Sequence, residues 1–187
     1  MDETSKENLT LTTMYGQIPA VDLGNGETSV NMGQPAFEWD KVPLAKNIPT
    51  LELPIEGAPS ATGMGNPHCT FFVEDAEKIN LEEMGPKFEN HPLFPERTNV
   101  QFASIKAPDR IRMRVWERGV GVTLASGSSS CATAVSANRR GLTGKNVQME
   151  LDGGILDINW REDGVWMTGP TMQVFSGHFS DEFLKSL

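Results

Sequence analysis

Alternation of apolar and polar side chains is the main pattern along this chain, and it predicts many short strands. The clearest case is Ile111, Met113 and Val115, which alternate with arginine and tryptophan as in a half-buried strand. A turn at Leu23-Gly-Asn-Gly26 separates two predicted strands, and a turn at Asp152-Gly-Gly154 joins two others as a hairpin. Further strands are predicted at residues 9–15, 28–32, 70–73, 97–105, 147–151, 155–160, 165–168 and 172–175.

One stretch departs from this pattern and predicts a helix that begins just past residue 126. Ser126 and Gly127 are followed by more serines, which are good capping residues, and then by small apolar side chains up to Ala137. The stretch ends at Arg139-Arg140-Gly141, with cations in the last turn and a glycine suited to a left-handed cap. Backbone can approach so slender a helix closely, which suits the centre of a curled sheet. Its amino end is suited to a carboxylate or phosphate, although most such turns only cap helices.

The remaining chain predicts two minor helices and one long extended connection. One helix is predicted from about Pro86 to before Pro92, and the other from about Ser180. Residues 33–60 hold five of the twelve prolines, which favours extended connections. The fold class predicted is α+β, with a mixed β-sheet curled around a central α-helix.

Charge and cysteine content exclude several classes of function. The formal net charge of −9 argues against nucleic acid or an anionic membrane as partners, since both attract a basic surface. No apolar run approaches the roughly 20 residues of a membrane span. A charged run rather than an apolar leader follows Met1, so we expect a cytoplasmic protein in which Cys69 and Cys131 are free thiols.

Two polar clusters stand at the ends of predicted strands, where a scaffold presents side chains to a ligand. Asn66, His68 and Cys69 occupy an Asn-Pro turn before an apolar strand. Glu117 and Arg118 end another strand beside a glycine. Taken alone, the first cluster is equally a plain turn with a buried cysteine, and the second a solvent-exposed ion pair.

Five motifs in register strongly resemble the diaminopimelate epimerase family, over nearly the whole chain. They are Gly65-Asn-Pro-His-Cys69, His91-Pro-Leu-Phe-Pro-Glu-Arg97-Thr-Asn99, Trp116-Glu-Arg-Gly119, the run from Thr123 to Cys131, and Met167-Thr-Gly-Pro170. The resemblance implies two similar domains, each a mixed sheet wrapped around a helix, with the active site between them. It also implies interconversion of the LL and meso forms of diaminopimelate without pyridoxal phosphate, other cofactor or metal.

In that family two cysteines, one per domain, face opposite sides of the substrate's α-carbon, one as base and the other as acid. The resemblance assigns catalytic positions to Ser126, which stands where the family has its cysteine, and to His68 and Glu117. The substrate-binding positions that it assigns are Asn66, Asn99, Glu117, Arg118, Gly127 and Ser128.

The sequence departs from the family pattern in two ways. An alcohol is much less acidic than a thiol, so Ser126 should impair ordinary two-base epimerisation. The first half, with its Gly-Asn-Gly-x-Arg-Cys motif, is not present in the sequence. Residues 1–26 are interpreted as the remnant of an N-terminal domain, 27–171 as the C-terminal epimerase domain, and 172–187 as a segment returning to the N-terminal domain. Cys131 and Cys69 are interpreted as core residues.

Three functions remain open at this point. The first is an incomplete or impaired diaminopimelate epimerase, acting as a homodimer or with a complementing N-terminal half. The second is a related cofactor-independent racemase or dehydratase in which Ser126 is the natural residue. The third is a non-catalytic protein that binds a small amino acid.

Overall fold

The computed structural model describes residues 8–13 and 16–186. Most predicted strands lie where the sequence indicated them, but the strands at Gly16–Gly24, Ser60–Gly63 and Gly121–Thr123 have no counterpart in the sequence prediction. The helices are α1 (Leu81–Glu89), α2 (Gly127–Arg139) and α3 (Asp181–Lys185), with a 3₁₀ turn at Ala76–Lys78. The strands are β1 (Asn8–Thr13), β2 (Gly16–Gly24), β3 (Glu27–Asn31), β4 (Ser60–Gly63), β5 (Pro67–Phe72), β6 (Asn99–Ala107), β7 (Arg110–Glu117), β8 (Gly121–Thr123), β9 (Asn146–Leu151), β10 (Gly154–Arg161) and β11 (Gly164–Pro170).

The described strands form one mixed sheet, in the order β1-β2-β3-β11-β10-β9-β7-β6-β5-β4, with β8 paired to β7. The pairs β5 with β6 and β7 with β9 are parallel, and the other neighbours are antiparallel. The two parallel pairs require crossovers, and α2 lies in the connection from β8 to β9.

Helix α2 lies at the centre of the curled sheet, as the sequence predicted. It contacts every strand from β4 to β7 and from β9 to β11. Its residues from Ser129 to Ala137 are all buried, because serine, alanine and cysteine allow the strands to approach on all sides. Polar side chains are satisfied across this interface, as where Thr62 and Ser136 share a hydrogen bond of 2.9 Å. The predicted α+β class and the central helix are therefore confirmed.

A second apolar cluster fills the space between the sheet, α1 and the proline-rich stretch before β4. Phe71 stacks on Phe102 with ring centroids 5.0 Å apart and lies 4.4 Å from the ring of Phe88 in α1. Val42 and Leu53 of the proline-rich stretch are buried in the same cluster. This packing holds α1 against β6, β7 and β8.

Two predicted elements differ from the structure. Helix α1 begins at Leu81, so Pro86 lies inside it rather than at its start. The helix is anchored by buried Leu81 and Phe88, and this packing outweighs the lost amide of the proline. The strand predicted at 172–175 is wrong, because residues 171–180 have no regular secondary structure and no strand partner covers them. For the strand predicted at 9–15, residues 14 and 15 lie outside the described residues.

The two ends of the described chain are much more exposed than the part between them. Nearly all of β1 and most of β2 is exposed, and so are residues 171–186. Large apolar side chains lie on this surface: Met172, Val174, Phe175, Phe179, Phe183 and Leu184. None of the described helices is long and apolar enough to cross a membrane.

Candidate functional site

The amino end of α2 is the point at which the predicted site residues meet. Ser126 is the N-cap and has an extended backbone. The carbonyl of Ser126 accepts two hydrogen bonds from Ser130, one from the amide at 3.0 Å and one from the hydroxyl at 2.8 Å. The side chain of Ser126 does not cap the helix. The amides that follow Ser126 are therefore not satisfied by its hydroxyl, and they carry the positive end of the helix dipole.

The hydroxyl of Ser126 instead donates to Oε2 of Glu117 at 2.8 Å. Thr123 donates its hydroxyl to Oε1 of the same carboxylate at 2.6 Å. The local fold explains this meeting, because β8 turns back antiparallel on the end of β7 and then leads directly into α2. Gly119, with φ of 76°, takes the left-handed conformation in that turn. A carboxylate that accepts two hydroxyl protons is thus fixed beside the helix start.

Asn99 joins three segments of the site through two hydrogen bonds. Its side chain is buried, its Oδ1 accepts from the amide of Arg118 at 2.9 Å, and its Nδ2 donates to the carbonyl of Pro67 at 2.9 Å. Arg118 donates Nη1 to the carbonyl of Glu96 at 3.2 Å. Among the described residues no ion pair joins Glu117 to Arg118, so these neighbours do not form the surface pair considered from sequence.

His68 is completely buried and lies between Asn66 and a glutamine that sequence reasoning missed. Its Nε2 is 2.7 Å from Oδ1 of Asn66, and its Nδ1 is 3.0 Å from Nε2 of Gln101. Gln101 also donates to the hydroxyl of Ser129 in α2 at 3.0 Å. Burial, and secondly the positive charge of Arg118, lower the pKa of His68 from 6.5 to about 3. The imidazole is therefore neutral near pH 7.

The structure brings all the predicted site residues around one end of α2. Asn66, Glu117, Arg118, Gly127 and Ser128 are partly exposed, whereas His68, Asn99 and Ser126 are buried. Sequence reasoning missed Thr123, Gln101 and Ser129, which form hydrogen bonds with Glu117 or lie beside His68. It also missed Glu89, which binds Trp116 and Gly119 on either side of Glu117 and Arg118. For Gln101, the available signal was a glutamine within a strand whose other residues are mostly apolar.

Both cysteines lie in the core and away from this arrangement, as predicted. Cys69 and Cys131 are free and fully buried, and they belong to different apolar clusters. Burial raises the pKa of Cys131 to about 12 and raises that of Cys69 further. Neither residue is a candidate for a thiolate. Within the described residues, no group of three or more His, Cys, Asp or Glu side chains is placed to hold a metal ion.

Two cavities lie elsewhere on the molecule. One, of about 760 Å³, is lined by residues of β9, β10 and β11, and the other, of about 590 Å³, by residues 37–40, 47–51 and Arg139. Neither is lined by a predicted site residue.

Three comparisons place this geometry among known proteins. The profile of the family described as diaminopimelate epimerase matches residues 60–174. A diaminopimelate epimerase from Acidiphilium cryptum is 48% identical over 188 residues, covering 97% of this chain and 68% of the relative. A diaminopimelate epimerase from Rhodospirillum centenum is 46% identical over 188 residues, covering 98% of this chain and 65% of the relative. The chain spans about two thirds of the length of these curated relatives.

A solved structure has the same fold at much lower identity. A probable proline racemase from Agrobacterium radiobacter, with bound carbonate, aligns at a TM-score of 0.61 and 16% identity, over 97% of this chain and 64% of that chain. Such a likeness concerns the fold alone. The family profile and the close relatives go further, and they establish that the chain belongs to the diaminopimelate epimerase family.

Proposed function

We propose that this chain supplies one wall of a diaminopimelate epimerase site, in an incomplete or impaired form. The observation that carries the proposal is the hydrogen bond of 2.8 Å from Ser126 to Glu117 at the start of α2. It joins two predicted catalytic positions directly beside backbone amides suited to an amino acid's carboxylate. Family membership supports an isomerase that acts on amino acids.

The side chains at the helix start suit the two charged groups of an amino acid. The amides of Gly127 and Ser128 would bind the carboxylate, assisted by the helix dipole. Glu117 would face the amino group, because a carboxylate binds an ammonium by charge-assisted hydrogen bonds. Asn66, Asn99 and Arg118 would complete the contacts.

Inversion at the α-carbon requires a base on one face and an acid on the other. Ser126 holds the position from which this wall would exchange a proton with the substrate. Its proton is directed to Glu117, but an alcohol gives up a proton much less readily than a thiol does. We therefore propose that the wall binds substrate well and transfers protons slowly, with no cofactor or metal taking part.

A complementing N-terminal half would supply the opposite wall. The curated relatives are longer than this chain by about a third of their own length. The exposed apolar side chains Met172, Val174, Phe175 and Phe179 form a surface that such a half would cover. We assign residues 1–26 and 172–187 to this junction and 27–171 to the epimerase domain proper. Alternatively, a second copy of the chain would cover this surface. Measuring the size of the protein in solution distinguishes a homodimer from a chain that needs a separate N-terminal half.

Calorimetry and proton exchange test the proposal on the full chain. We expect meso- or LL-diaminopimelate to bind with heat, and the α-proton to exchange slowly with deuterated water. Absence of both heat and a thermal shift at millimolar ligand would contradict a substrate-binding wall. The Asn138→Ala variant, changed at the far end of α2 from the proposed site, is the control and should bind diaminopimelate as the parent chain does.

A second candidate is a related cofactor-independent racemase or dehydratase in which Ser126 is the working residue. The contact between Ser126 and Glu117 favours it, because the carboxylate is placed to accept the hydroxyl proton. Exchange at the α-carbon of proline or hydroxyproline, without exchange of diaminopimelate, would support this function. Binding without any exchange would support a non-catalytic amino-acid-binding protein.

A further inference from the structure

Glu89, the last residue of α1, has a buried carboxylate with three donors around it. Its side chain is only 7% exposed. Oε2 accepts from the indole Nε1 of Trp116 at 2.6 Å, and Oε1 accepts from the amide of Gly119 at 2.8 Å and from Nη1 of Arg97 at 3.3 Å. Burying a carboxylate is costly unless it is paired and hydrogen-bonded, and here both oxygens are satisfied.

The two neutral donors flank the functional pair in sequence. Trp116 directly precedes Glu117, and Gly119 directly follows Arg118. One carboxylate therefore binds the segment on both sides of the residues predicted to bind substrate. From the opposite side, Asn99 accepts from the amide of Arg118 between them. The backbone of this segment is held by side-chain acceptors from α1 and from β6.

The contact between α1 and Trp116 makes this attachment rigid. A Cβ on Gly85 would lie 2.4 Å from the indole ring of Trp116, so the helix backbone packs directly on the ring. Phe88 anchors the same helix in the apolar cluster with Phe71. Glu89 cannot move away from the segment without displacing buried aromatic side chains.

We propose that Glu89 is a positioning residue for the amino-acid site, which fixes the directions in which Glu117 and Arg118 present their side chains to a ligand. This inference rests on the function proposed above. Glu89 itself is buried behind the turn and would not touch the ligand. Its contribution to affinity would pass through the backbone of residues 116–119.

Glu89→Gln tests the inference, with Glu82→Gln as the matched control on the exposed side of the same helix. Glutamine preserves size but offers one acceptor oxygen and places an NH₂ group against an N–H donor. We expect the affinity for diaminopimelate, measured by calorimetry well below the melting temperature, to fall by about tenfold or more. Trp116→Phe removes the indole donor and part of the ring but leaves the bond from Gly119 to Glu89, so it should give a smaller loss. Glu82→Gln should give no loss.

A second readout separates positioning from stability and from failure of the proposed function. In Glu89→Gln the backbone amide resonances of Arg118 and Gly119 should shift, while those of α2 past Ser130 should not. A lower melting temperature with unchanged affinity of the folded protein would overturn the inference. If the parent chain binds no diaminopimelate, the proposed function fails. Independently of binding, unshifted amide resonances of Arg118 and Gly119 in Glu89→Gln would overturn the positioning role.

Discussion

The hydroxyl of Ser126 is directed to the carboxylate of Glu117, 2.8 Å away, and not to the helix that Ser126 precedes. An N-cap serine ordinarily accepts from an amide of the first turn. Here the side chain turns toward the end of β7, so the helix start is left for an external acceptor. The same contact places a carboxylate beside the side chain that we propose to exchange a proton with the substrate.

Ser126→Cys is expected to increase exchange of the substrate's α-proton. A thiol beside a helix amino end ionises far more readily than an alcohol, and general acid–base groups contribute about 10²–10⁴-fold. Deuterium incorporation into diaminopimelate, followed by NMR, measures the change. Ser130→Cys, one turn further into α2 and buried, is the control and should give no increase. Equal exchange in both variants would argue against catalysis at position 126.

Stability should fall as pH decreases below about 6.5, through the protonation of His68. Its folded pKa is about 3, so between these values the unfolded state binds more protons and unfolding is favoured. The contribution of this one group between pH 7 and pH 5 is about 2 kcal/mol. Urea unfolding of the parent and of His68→Gln at both pH values measures it. The variant should lose less stability over this interval, and identical pH dependence would contradict a buried neutral imidazole.

Gly85→Ala should destabilise the protein by about 1–3 kcal/mol, since overpacking displaces the partly buried side chain of Trp116. The added Cβ would meet the rigid indole of Trp116 at 2.4 Å. Gly144→Ala is the control, because a Cβ there meets nothing within 4 Å. Urea unfolding should separate the two variants clearly. Similar stabilities would mean that α1 does not pack on Trp116 as described.

Cys69 and Cys131 should resist thiol reagents in the folded protein. Burial raises the pKa of both thiols, which leaves almost no thiolate near neutral pH, and both side chains are inaccessible. Titration with a chromogenic disulfide should detect about two thiols in denaturant and almost none before unfolding. Rapid reaction of either thiol at pH 7.5 without denaturant would contradict the core assignment.

Local pattern was sufficient for most of the fold. Alternating side chains predicted β7, β9 and β10 because a strand with one buried face must alternate. Small residues between Ser129 and Ala137 predicted a closely surrounded helix. The pattern failed where tertiary contacts decide whether a segment is helix or strand. Pro86 lies within α1 because Leu81 and Phe88 are buried. Residues 172–175 alternate as a strand would, but no described strand pairs with them.

The sequence by itself determined the family, the helix start at Ser126 and the identity of the side chains around it, since these follow from motifs and from short-range capping rules. Only the tertiary structure decided which partners those side chains have. Glu89 lies 30 residues from Gly119, and Gln101 lies 28 from Ser129. A hydrogen bond over such a separation depends on how strands and helices pack, and the sequence around either residue does not identify its partner.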